Sequence, residues 1–335
     1  MAAQRPTVSV VATGGSISGL GPHRLDYVQY PDLGQRLNVE EMLARIPEAN
    51  DLADIQAEDL IRVGSSSIGP TEWLQLAQRI NALLSSAHPP QGVVVTHGTA
   101  TLEESAYFLH LTVKSERPVV VTGAMRPPTA LGTDADLNLL DAIRLAACPD
   151  AAGRGVLTVL NNEIQSARDV TKTNAFRVET FTSRELGFLG YVDSDGQVVF
   201  YRNVTRLHTT ATPFAVDGRE TLPRVDIVYA YGGADGFLID AVRQHGTDGL
   251  VLAGFGGGSY PSAFLDAGKR AVQAGIPVVL ATRSTAGRVI MTPQKASAGF
   301  IVSDDLMPQK ARILLMLALS MTRERRTIQE FFYRY

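Results

Sequence analysis

The sequence predicts an α/β protein in which parallel sheets are covered by helices, with two such units along the chain. Apolar segments rich in β-branched residues recur, and segments of helical pattern separate them. A polar stretch with Pro and Gly at 209–223 divides them into two series. A length of 335 residues is sufficient for two domains. We therefore expect an N-terminal domain over 1–208, a linker over 209–223 and a C-terminal domain over 224–335.

The N-terminal series contains five predicted strands. Their almost continuous apolar character indicates burial on both faces, which is typical of a parallel sheet. The predicted strands are 7–15, 59–66, 92–98, 117–125 and 155–164. The predicted helices are 71–86, 102–114 and 136–147. Thr101 and Glu104 have the spacing of a capping box, which predicts a helix start at Thr101.

The pattern changes after about residue 185. Two alternating segments joined by Asp-Ser-Asp-Gly predict a β-hairpin. A second α/β series follows the linker, with strands predicted at 224–231, 249–258, 276–284 and 298–303. The segment 307–321 has Pro308 near its start and a broad apolar face, which predicts the last helix of the chain.

Composition excludes several classes of function. The formal net charge of −3 gives no sign of a nucleic-acid-binding surface. The N-terminus enters a strand without the pattern of a signal peptide, and no apolar run approaches the roughly 20 residues of a membrane-spanning helix. We therefore expect a cytoplasmic protein with no membrane partner. The single cysteine, Cys148, excludes an intramolecular disulfide and is expected to pack against the core.

No cofactor or metal is expected from the motifs. No group of His, Cys, Asp and Glu has zinc-ligand spacing, and no phosphate-binding P-loop pattern occurs. The segment Gly-Phe-Gly-Gly-Gly-Ser at 254–259 follows a strand and resembles part of a dinucleotide-binding loop. It lacks the third glycine in the usual frame and the acidic residue about twenty positions later, which argues against NAD binding.

Small polar residues follow the strands of the N-terminal series, at the edge where open parallel sheets bind ligands. The first strand runs into Thr-Gly-Gly-Ser-Ile-Ser-Gly, whose glycines allow a close turn and whose Ser16 offers a hydroxyl nucleophile. Ser65 and Ser66 follow another strand, where hydroxyl and backbone N–H groups can hold a carboxylate. Taken alone, either segment is more often structural than functional.

Two more strand ends add a hydroxyl and an amine. Thr99 lies in the turn before the helix at Thr101, near the positive end of that helix, although it could simply cap it. His97 in the same turn is expected to be structural. Lys172 lies between two threonines; in a crevice poor in water it could act as a base, and otherwise it is a solvated lysine. Because these groups come from separate β/α units and share one edge, together they predict a nucleophilic hydrolase site without metal.

The motifs resemble those of the bacterial-type L-asparaginases. Seven segments are similar to family segments in the same order, and together they extend over nearly the whole chain. They are VVATGGSISG, VVVTHGTATLEESAYFL, VTGAMRPPTALGTDADLNLLDAI, GRGVLTVLNNEI, ARDVTKTN, LGFLGY and PQKARILLMLAL. The resemblance implies a larger N-terminal and a smaller C-terminal α/β domain. It also implies a homotetramer built as a pair of close dimers, with each site between two subunits.

The resemblance further implies an activity, the hydrolysis of a side-chain amide with release of ammonia. The nucleophile that forms the acyl-enzyme would be Ser16, where the family usually has Thr. A tyrosine in the following loop would assist; Tyr27 and Tyr30 are both candidates, and we favour Tyr30. Thr99 and Lys172 would form a supporting pair. Ser65 would hold the α-carboxylate of the substrate, with Gly15, Ser66 and Ala100 also at the substrate.

Several positions depart from the family pattern together. Ala100 stands where the family has the aspartate that contacts the α-ammonium group, and Ser66 stands where it has glutamine. Gly257 and Ser259 replace the usual asparagines of a C-terminal glycine loop. An ammonium group buried without a carboxylate partner is costly by several kcal/mol. We therefore expect a substrate that carries a carboxylate but no α-amine: an amide, imide or lactone.

Three alternatives remain open at the level of sequence. An ordinary asparaginase altered at Ala100 would explain one departure only. A non-catalytic small-molecule binding protein would not require Ser16, Thr99 and Lys172 together. A subunit of a tRNA amidotransferase would have an additional N-terminal domain, whereas this sequence starts at the first strand.

Overall fold

The structure is a computed structural model that describes residues 5–335. The chain divides into two compact units, the first ending at Gly218 and the second spanning Arg219–Tyr335. Within the stretch expected to be a linker, Thr209–Ala211 forms a short 3-10 helix, and Phe214 and Val216 are buried. The division between the units therefore lies after these buried side chains.

The first unit contains an eight-stranded sheet and a separate two-stranded ribbon. The strands are β1 (Thr7–Gly14), β2 (Asp54–Val63), β3 (Gly92–Thr96), β4 (Val119–Thr122), β5 (Val156–Leu160), β6 (Glu163–Ser166), β7 (Thr171–Lys172), β8 (Phe181–Thr182), β9 (Gly190–Val192) and β10 (Val198–Phe200). The sheet order is β10-β9-β6-β5-β4-β3-β1-β2, and β7 pairs with β8. The strands from β5 to β2 are parallel, and β6, β9 and β10 extend the sheet in antiparallel pairings.

Among the described residues, the first unit contains six α-helices. They are α1 (Tyr30–Leu33), α2 (Val39–Leu43), α3 (Ala49–Leu52), α4 (Pro70–Leu84), α5 (Leu102–Thr112) and α6 (Ala135–Ala147). One apolar side of α6, with Leu139, Ala142 and Ile143, packs in the same core as Val94 and Val120 of the central strands. Full burial of each large aliphatic side chain contributes about 1.5–3 kcal/mol, so the valine-rich strands hold this layer together.

The fold class predicted from the sequence is confirmed, with local differences. The segment 155–164 is not one strand, because Asn161 and Asn162 adopt positive φ angles of 53° and 64° and turn the chain into β6. Asparagine tolerates this left-handed conformation better than most residues. Strand β2 begins at Asp54, earlier than expected, because a largely exposed edge strand can carry polar residues. The hairpin predicted after residue 185 is present as β9 and β10.

The second unit is a smaller α/β layer. Its strands β11 (Val225–Tyr229), β12 (Gly249–Gly254), β13 (Val278–Thr282) and β14 (Ile301–Val302) form a parallel sheet in that order. Its helices are α7 (Phe237–His245), α8 (Ser262–Gln273), α9 (Pro293–Ser297), α10 (Pro308–Leu319) and α11 (Arg325–Arg334). The predicted helix at 307–321 is α10, but it is not the last. Glu324 caps α11 by accepting hydrogen bonds from the N–H groups of Arg326 and Thr327.

Two other expectations concern membrane-spanning helices and the single cysteine. Within residues 5–335, no helix is long and apolar enough to cross a membrane. Cys148 is half-buried and packs against the core of the first unit.

Candidate active site

A cavity of about 230 Å³ lies in the first unit, beside the ends of β1, β2 and β3. All eight site residues predicted from the sequence line it. Thirteen residues form its wall: Gly15, Ser16, Gly19, Tyr30, Pro31, Gln35, Arg36, Gly64, Ser65, Ser66, Thr99, Ala100 and Lys172. The turns after separate parallel strands thus bring residues from distant parts of the chain to one place.

The turn after β1 presents Ser16 to the cavity. Gly15 has a φ of +89°, and a Cβ atom there would lie 2.1 Å from the Cα of Gly98. A residue with a side chain would therefore separate the turn after β1 from the turn after β3. This close backbone contact places Ser16, which is 8% exposed, beside the turn that carries Thr99.

A carbonyl group fixes the Ser16 hydroxyl. Ser16 Oγ donates a hydrogen bond to the carbonyl oxygen of Ala124, in the loop after β4. Asp134 orders that loop, because its carboxylate accepts hydrogen bonds of 2.9 Å from the N–H groups of Met125 and Arg126. This carboxylate lies immediately before α6 and holds a loop at the site, and no sequence motif indicates it.

The structure separates the two candidate tyrosines. Tyr30 lines the same cavity as Ser16, whose hydroxyl lowers the pKa of the phenol. Tyr27 is turned away and donates to the carbonyl oxygen of Leu131 over 2.9 Å. Burial raises the pKa of Tyr30, and the effect of Ser16 opposes that shift only in part. Tyr30 is therefore a protonated phenol at neutral pH.

Asp26 holds the turn that carries Tyr30. Its two carboxylate oxygens accept hydrogen bonds from the N–H groups of Gln29, at 2.8 Å, and Tyr30, at 2.9 Å. Burial raises the pKa of Asp26, but these bonds and one from Val28 outweigh it, so the pKa is lowered overall. The carboxylate therefore stays ionised and keeps the turn in place.

Thr99 and Lys172 form a second polar pair in the cavity. Lys172 Nζ donates to Thr99 Oγ1 over 2.9 Å, and the backbone N–H of Lys172 donates to the Glu103 carboxylate over 3.0 Å. Burial lowers the pKa of Lys172, and the negative charge of Glu103 opposes this shift. The amine thus loses its proton more readily than an exposed lysine does.

The serines after β2 connect to the start of α5. Ser65 Oγ accepts a hydrogen bond of 3.2 Å from the N–H of Ala100, and the Ser65 carbonyl accepts one of 2.7 Å from Thr101 Oγ1. The helix start expected at Thr101 is correct, but the capping box is not formed. The Thr101 hydroxyl bonds to Ser65 instead of capping the helix. Ala100 therefore lies in the cavity wall next to the serine turn.

Three more side chains at or near the cavity are polar or charged. Gln35 and Arg36 line the cavity and were missed, because they belong to a loop without a motif. His97 is fully buried, and burial lowers its pKa to about 4, so it stays neutral in the interior. Across residues 5–335, no group of three or more His, Cys, Asp or Glu is arranged to hold a metal ion.

The arrangement supports nucleophilic chemistry. A buried hydroxyl, Ser16, contacts a protonated phenol, and a second hydroxyl contacts an amine of lowered pKa. Nucleophile and proton-transfer groups in one cavity are the elements of acyl transfer through a covalent intermediate. Gly257 and Ser259 lie in the second unit, in the turn that follows β12.

Comparison with known families gives two matches that together span most of the chain. Residues 7–206 match the family described as "Asparaginase, N-terminal". Residues 224–332 match the one described as "Glutaminase/Asparaginase C-terminal domain".

Individual proteins are similar over nearly their full length. "L-asparaginase 2" of Bacillus subtilis is 43% identical over 98% of this chain and 87% of its own. "Probable L-asparaginase periplasmic" of Haemophilus influenzae is 40% identical over 99% of this chain and 93% of its own. The crystal structure of a "Probable Cytoplasmic L-asparaginase" from Campylobacter jejuni superposes with a TM-score of 0.94, at 40% identity, over 99% of this chain and 100% of that one.

Proposed function

Because the chain belongs to the asparaginase family of amidohydrolases, we propose that it hydrolyses a small carboxylate-bearing amide without an α-amine, using Ser16 as nucleophile. One observation carries the choice of substrate. None of the thirteen residues that line the described cavity has a carboxylate side chain, and Ala100 occupies the position where the family resemblance implies one. The cavity wall formed by this chain offers basic groups and hydroxyls to a ligand.

The proposed reaction has two steps. Ser16 Oγ bonds to the amide carbon and gives up its proton, while the C–N bond breaks and the nitrogen leaves as ammonia after gaining a proton. Water then adds its oxygen to the acyl carbon and returns a proton to Ser16 Oγ, releasing a carboxylic acid. Tyr30 is placed to relay the proton at Ser16, and Lys172 with Thr99 is placed to support the attack of water.

The missing ion pair gives an energetic reason to expect an amine-free substrate. A hydrogen bond that involves a charged group contributes about 1.5–3 kcal/mol. Loss of one such partner for an ammonium group corresponds to roughly a 10- to 100-fold loss of affinity, since about 1.4 kcal/mol is tenfold. The guanidinium group of Arg36, which also lines the cavity, would repel an ammonium group. Imides and lactones with a carboxylate are further candidates, because an acyl-enzyme can form from either.

Ser16→Ala tests the nucleophile and also allows ligand binding to be measured without turnover. Wild-type protein should release ammonia from the substrate and accumulate a covalent acyl adduct on Ser16, visible by mass spectrometry after rapid quenching. Ser16→Ala should bind without turnover, and calorimetry on this variant should give succinamate an affinity at least equal to that of L-asparagine. Unchanged turnover in Ser16→Ala would refute the nucleophile, and tenfold tighter asparagine binding would refute the substrate class.

Two further parts of the proposal concern assembly and location. The family resemblance supports a homotetramer, for which light scattering should give about four times the chain mass of 36.0 kDa. A monomeric mass at micromolar concentration would contradict it. We place the protein in the cytoplasm, in line with the name of the Campylobacter jejuni relative, whereas the Haemophilus influenzae relative is named periplasmic. Activity in the periplasmic fraction of the source cells would contradict that placement.

A further inference from the structure

Arg36 forms part of the cavity wall on the side of the serine turn. A Cβ atom built on Gly64 would lie 3.6 Å from Arg36 Nη2 and 3.8 Å from Ser66 Oγ. The guanidinium group and the Ser66 hydroxyl therefore both lie near the Cα of Gly64, which carries no side chain. Glycine at position 64 leaves this space open to a ligand.

No acid balances this guanidinium group. Among residues 5–335, no ion pair or side-chain hydrogen bond of Arg36 with another protein group is found. Its backbone alone joins the turn after β1, through an antiparallel bridge with Gly19. The bridge holds position 36 in place whatever side chain it carries, so the cation is available for a ligand.

Lys172 and Arg36, the two basic side chains of the cavity wall, differ in their surroundings. Lys172 Nζ, on β7, already donates a hydrogen bond to Thr99 Oγ1 in the turn after β3. Arg36 lies beside Ser66, where a planar guanidinium group can form two parallel hydrogen bonds with a carboxylate. A lysine at this position would present a single point charge and would not provide the same geometry.

We propose that Arg36, together with Ser66, binds the substrate carboxylate that lies away from the scissile amide, and so selects amine-free monoamides of dicarboxylic acids. This inference rests on the proposed function, because it identifies the group that the same cavity recognises. Ser65 and Ser66 are consecutive, so a carboxylate over this turn meets hydroxyl groups on one side and the guanidinium group on the other. Arg36 thereby becomes a specificity residue that does not take part in bond breaking.

Arg36→Gln tests the inference through a pair of matched substrates. Succinamate carries the carboxylate, and its methyl ester has nearly the same shape without the charge; ammonia release is measured for both. Arg36→Gln should lower kcat/KM for succinamate by roughly 10- to 100-fold, mainly through KM, since a charge-assisted hydrogen bond is lost. The ester should change by less than about threefold.

Arg62→Gln is the matched control, because Arg62 is an exposed arginine of the neighbouring β2 that does not line the cavity and contacts Arg36 only at its backbone carbonyl, over 3.5 Å. It should leave both substrates unchanged. If Arg36→Gln lowered kcat/KM equally for succinamate and for its methyl ester, the role of Arg36 would be structural and the inference would be overturned. An equal loss on succinamate in both arginine variants would overturn it as well.

A binding measurement separates failure of this inference from failure of the proposed function. Calorimetry with succinate requires no turnover, and Arg36→Gln should weaken succinate binding by roughly 10- to 100-fold relative to the wild type. If no amide is hydrolysed but this difference holds, the proposed function fails and the carboxylate site stands. If amides are hydrolysed and succinate binding is unchanged by the variant, the carboxylate site fails alone.

Discussion

Lys172 Nζ lies 2.9 Å from Thr99 Oγ1, although the two residues are 73 positions apart in the chain. One comes from the β7 ribbon and the other from the turn between β3 and α5. The pair lies in a cavity where burial lowers the pKa of the amine. Folding therefore creates a potential base from a lysine that the sequence alone cannot distinguish from a solvated one.

Glu103 should control the pH dependence of this pair. Its charge raises the pKa of Lys172 against the larger effect of burial, so Glu103→Gln should lower that pKa further. A base must be deprotonated to act, so the acidic limb of the kcat/KM profile should move to lower pH. Glutamine can still accept the hydrogen bond from the Lys172 N–H.

Glu104→Gln is the control for this profile, because the neighbouring carboxylate is not among the groups that shift Lys172. The acidic limb of the kcat/KM profile of Glu104→Gln should coincide with that of the wild type. A shift to higher pH in Glu103→Gln, or the same shift in both variants, would exclude Lys172 as the titrating base.

Ala100→Asp should shift the pKa of Lys172 in the direction opposite to Glu103→Gln, and it should change the preferred substrate. A new carboxylate in the cavity wall near Lys172 should raise the pKa of the amine and move the acidic limb to higher pH. It should also raise the asparagine-to-succinamate ratio of kcat/KM by about tenfold or more, since it offers a partner to an ammonium group. Ala100→Asn, which has nearly the same shape without the charge, should produce neither effect.

Restoration of strong asparagine turnover by Ala100→Asp alone would favour the alternative of an asparaginase altered at one position. In that case the replacements at Ser66, Gly257 and Ser259 would have no role in specificity. Steady-state ammonia release from both substrates distinguishes these outcomes.

Tyr30→Phe should reduce kcat by about 100-fold or more, because general acid–base groups contribute roughly 10²–10⁴-fold to catalysis. The ring still fills its space against Gly19, so the fold should be preserved. Tyr27→Phe removes a hydroxyl that bonds to the Leu131 carbonyl outside the cavity, and kcat should change by less than about threefold. A larger loss in Tyr27→Phe than in Tyr30→Phe would reverse the assignment of the two tyrosines.

Ser16→Ala should lower kcat by at least about a thousandfold, since removal of a nucleophile blocks the covalent route. Ser18→Ala is a close control, because the Ser18 hydroxyl bonds to the Gly15 carbonyl and is not part of the cavity wall. Comparable losses in both variants, with matching melting temperatures, would show that the turn matters only through its conformation.

Gly15→Ala should destabilise the protein by at least about 3 kcal/mol, since it combines a positive φ with a backbone clash. Gly34→Ala also has a positive φ, of +67°, but its Cβ atom would meet nothing within 4 Å. It should cost about 1–2 kcal/mol, the strain of the left-handed conformation alone. Denaturant titration measures both, and equal costs would contradict the close contact of Gly15 with Gly98.

Sequence patterns predicted the layers of the fold because burial on two faces leaves a direct trace in the valine-rich strands β1, β3 and β4. Local exceptions were missed where a single side chain decides the conformation. The turn at Asn161 and Asn162 lies inside an otherwise apolar run, so periodicity alone joined two strands into one. The capping pattern at Thr101 had a correct spacing, but Ser65 competes for the hydroxyl from 36 positions away.

The same contrast holds for the residues of the candidate site. Ser16, Ser65 and Thr99 were predictable because parallel strands end at one edge and carry small polar residues there. Arg36 was not predictable, since it reaches the cavity only when its loop returns to pair with Gly19. Asp134 was hidden for a similar reason, because its partners are backbone N–H groups that no sequence pattern reveals.

The most direct test of the central claim is kcat/KM for ammonia release from succinamate and from L-asparagine, measured side by side on the wild-type protein. The two molecules differ only by the α-amine, so the ratio reports how the cavity treats an ammonium group. We predict that succinamate is hydrolysed at least as efficiently as asparagine. A clear preference for asparagine would show that the ammonium group is bound despite Ala100, and would contradict this prediction.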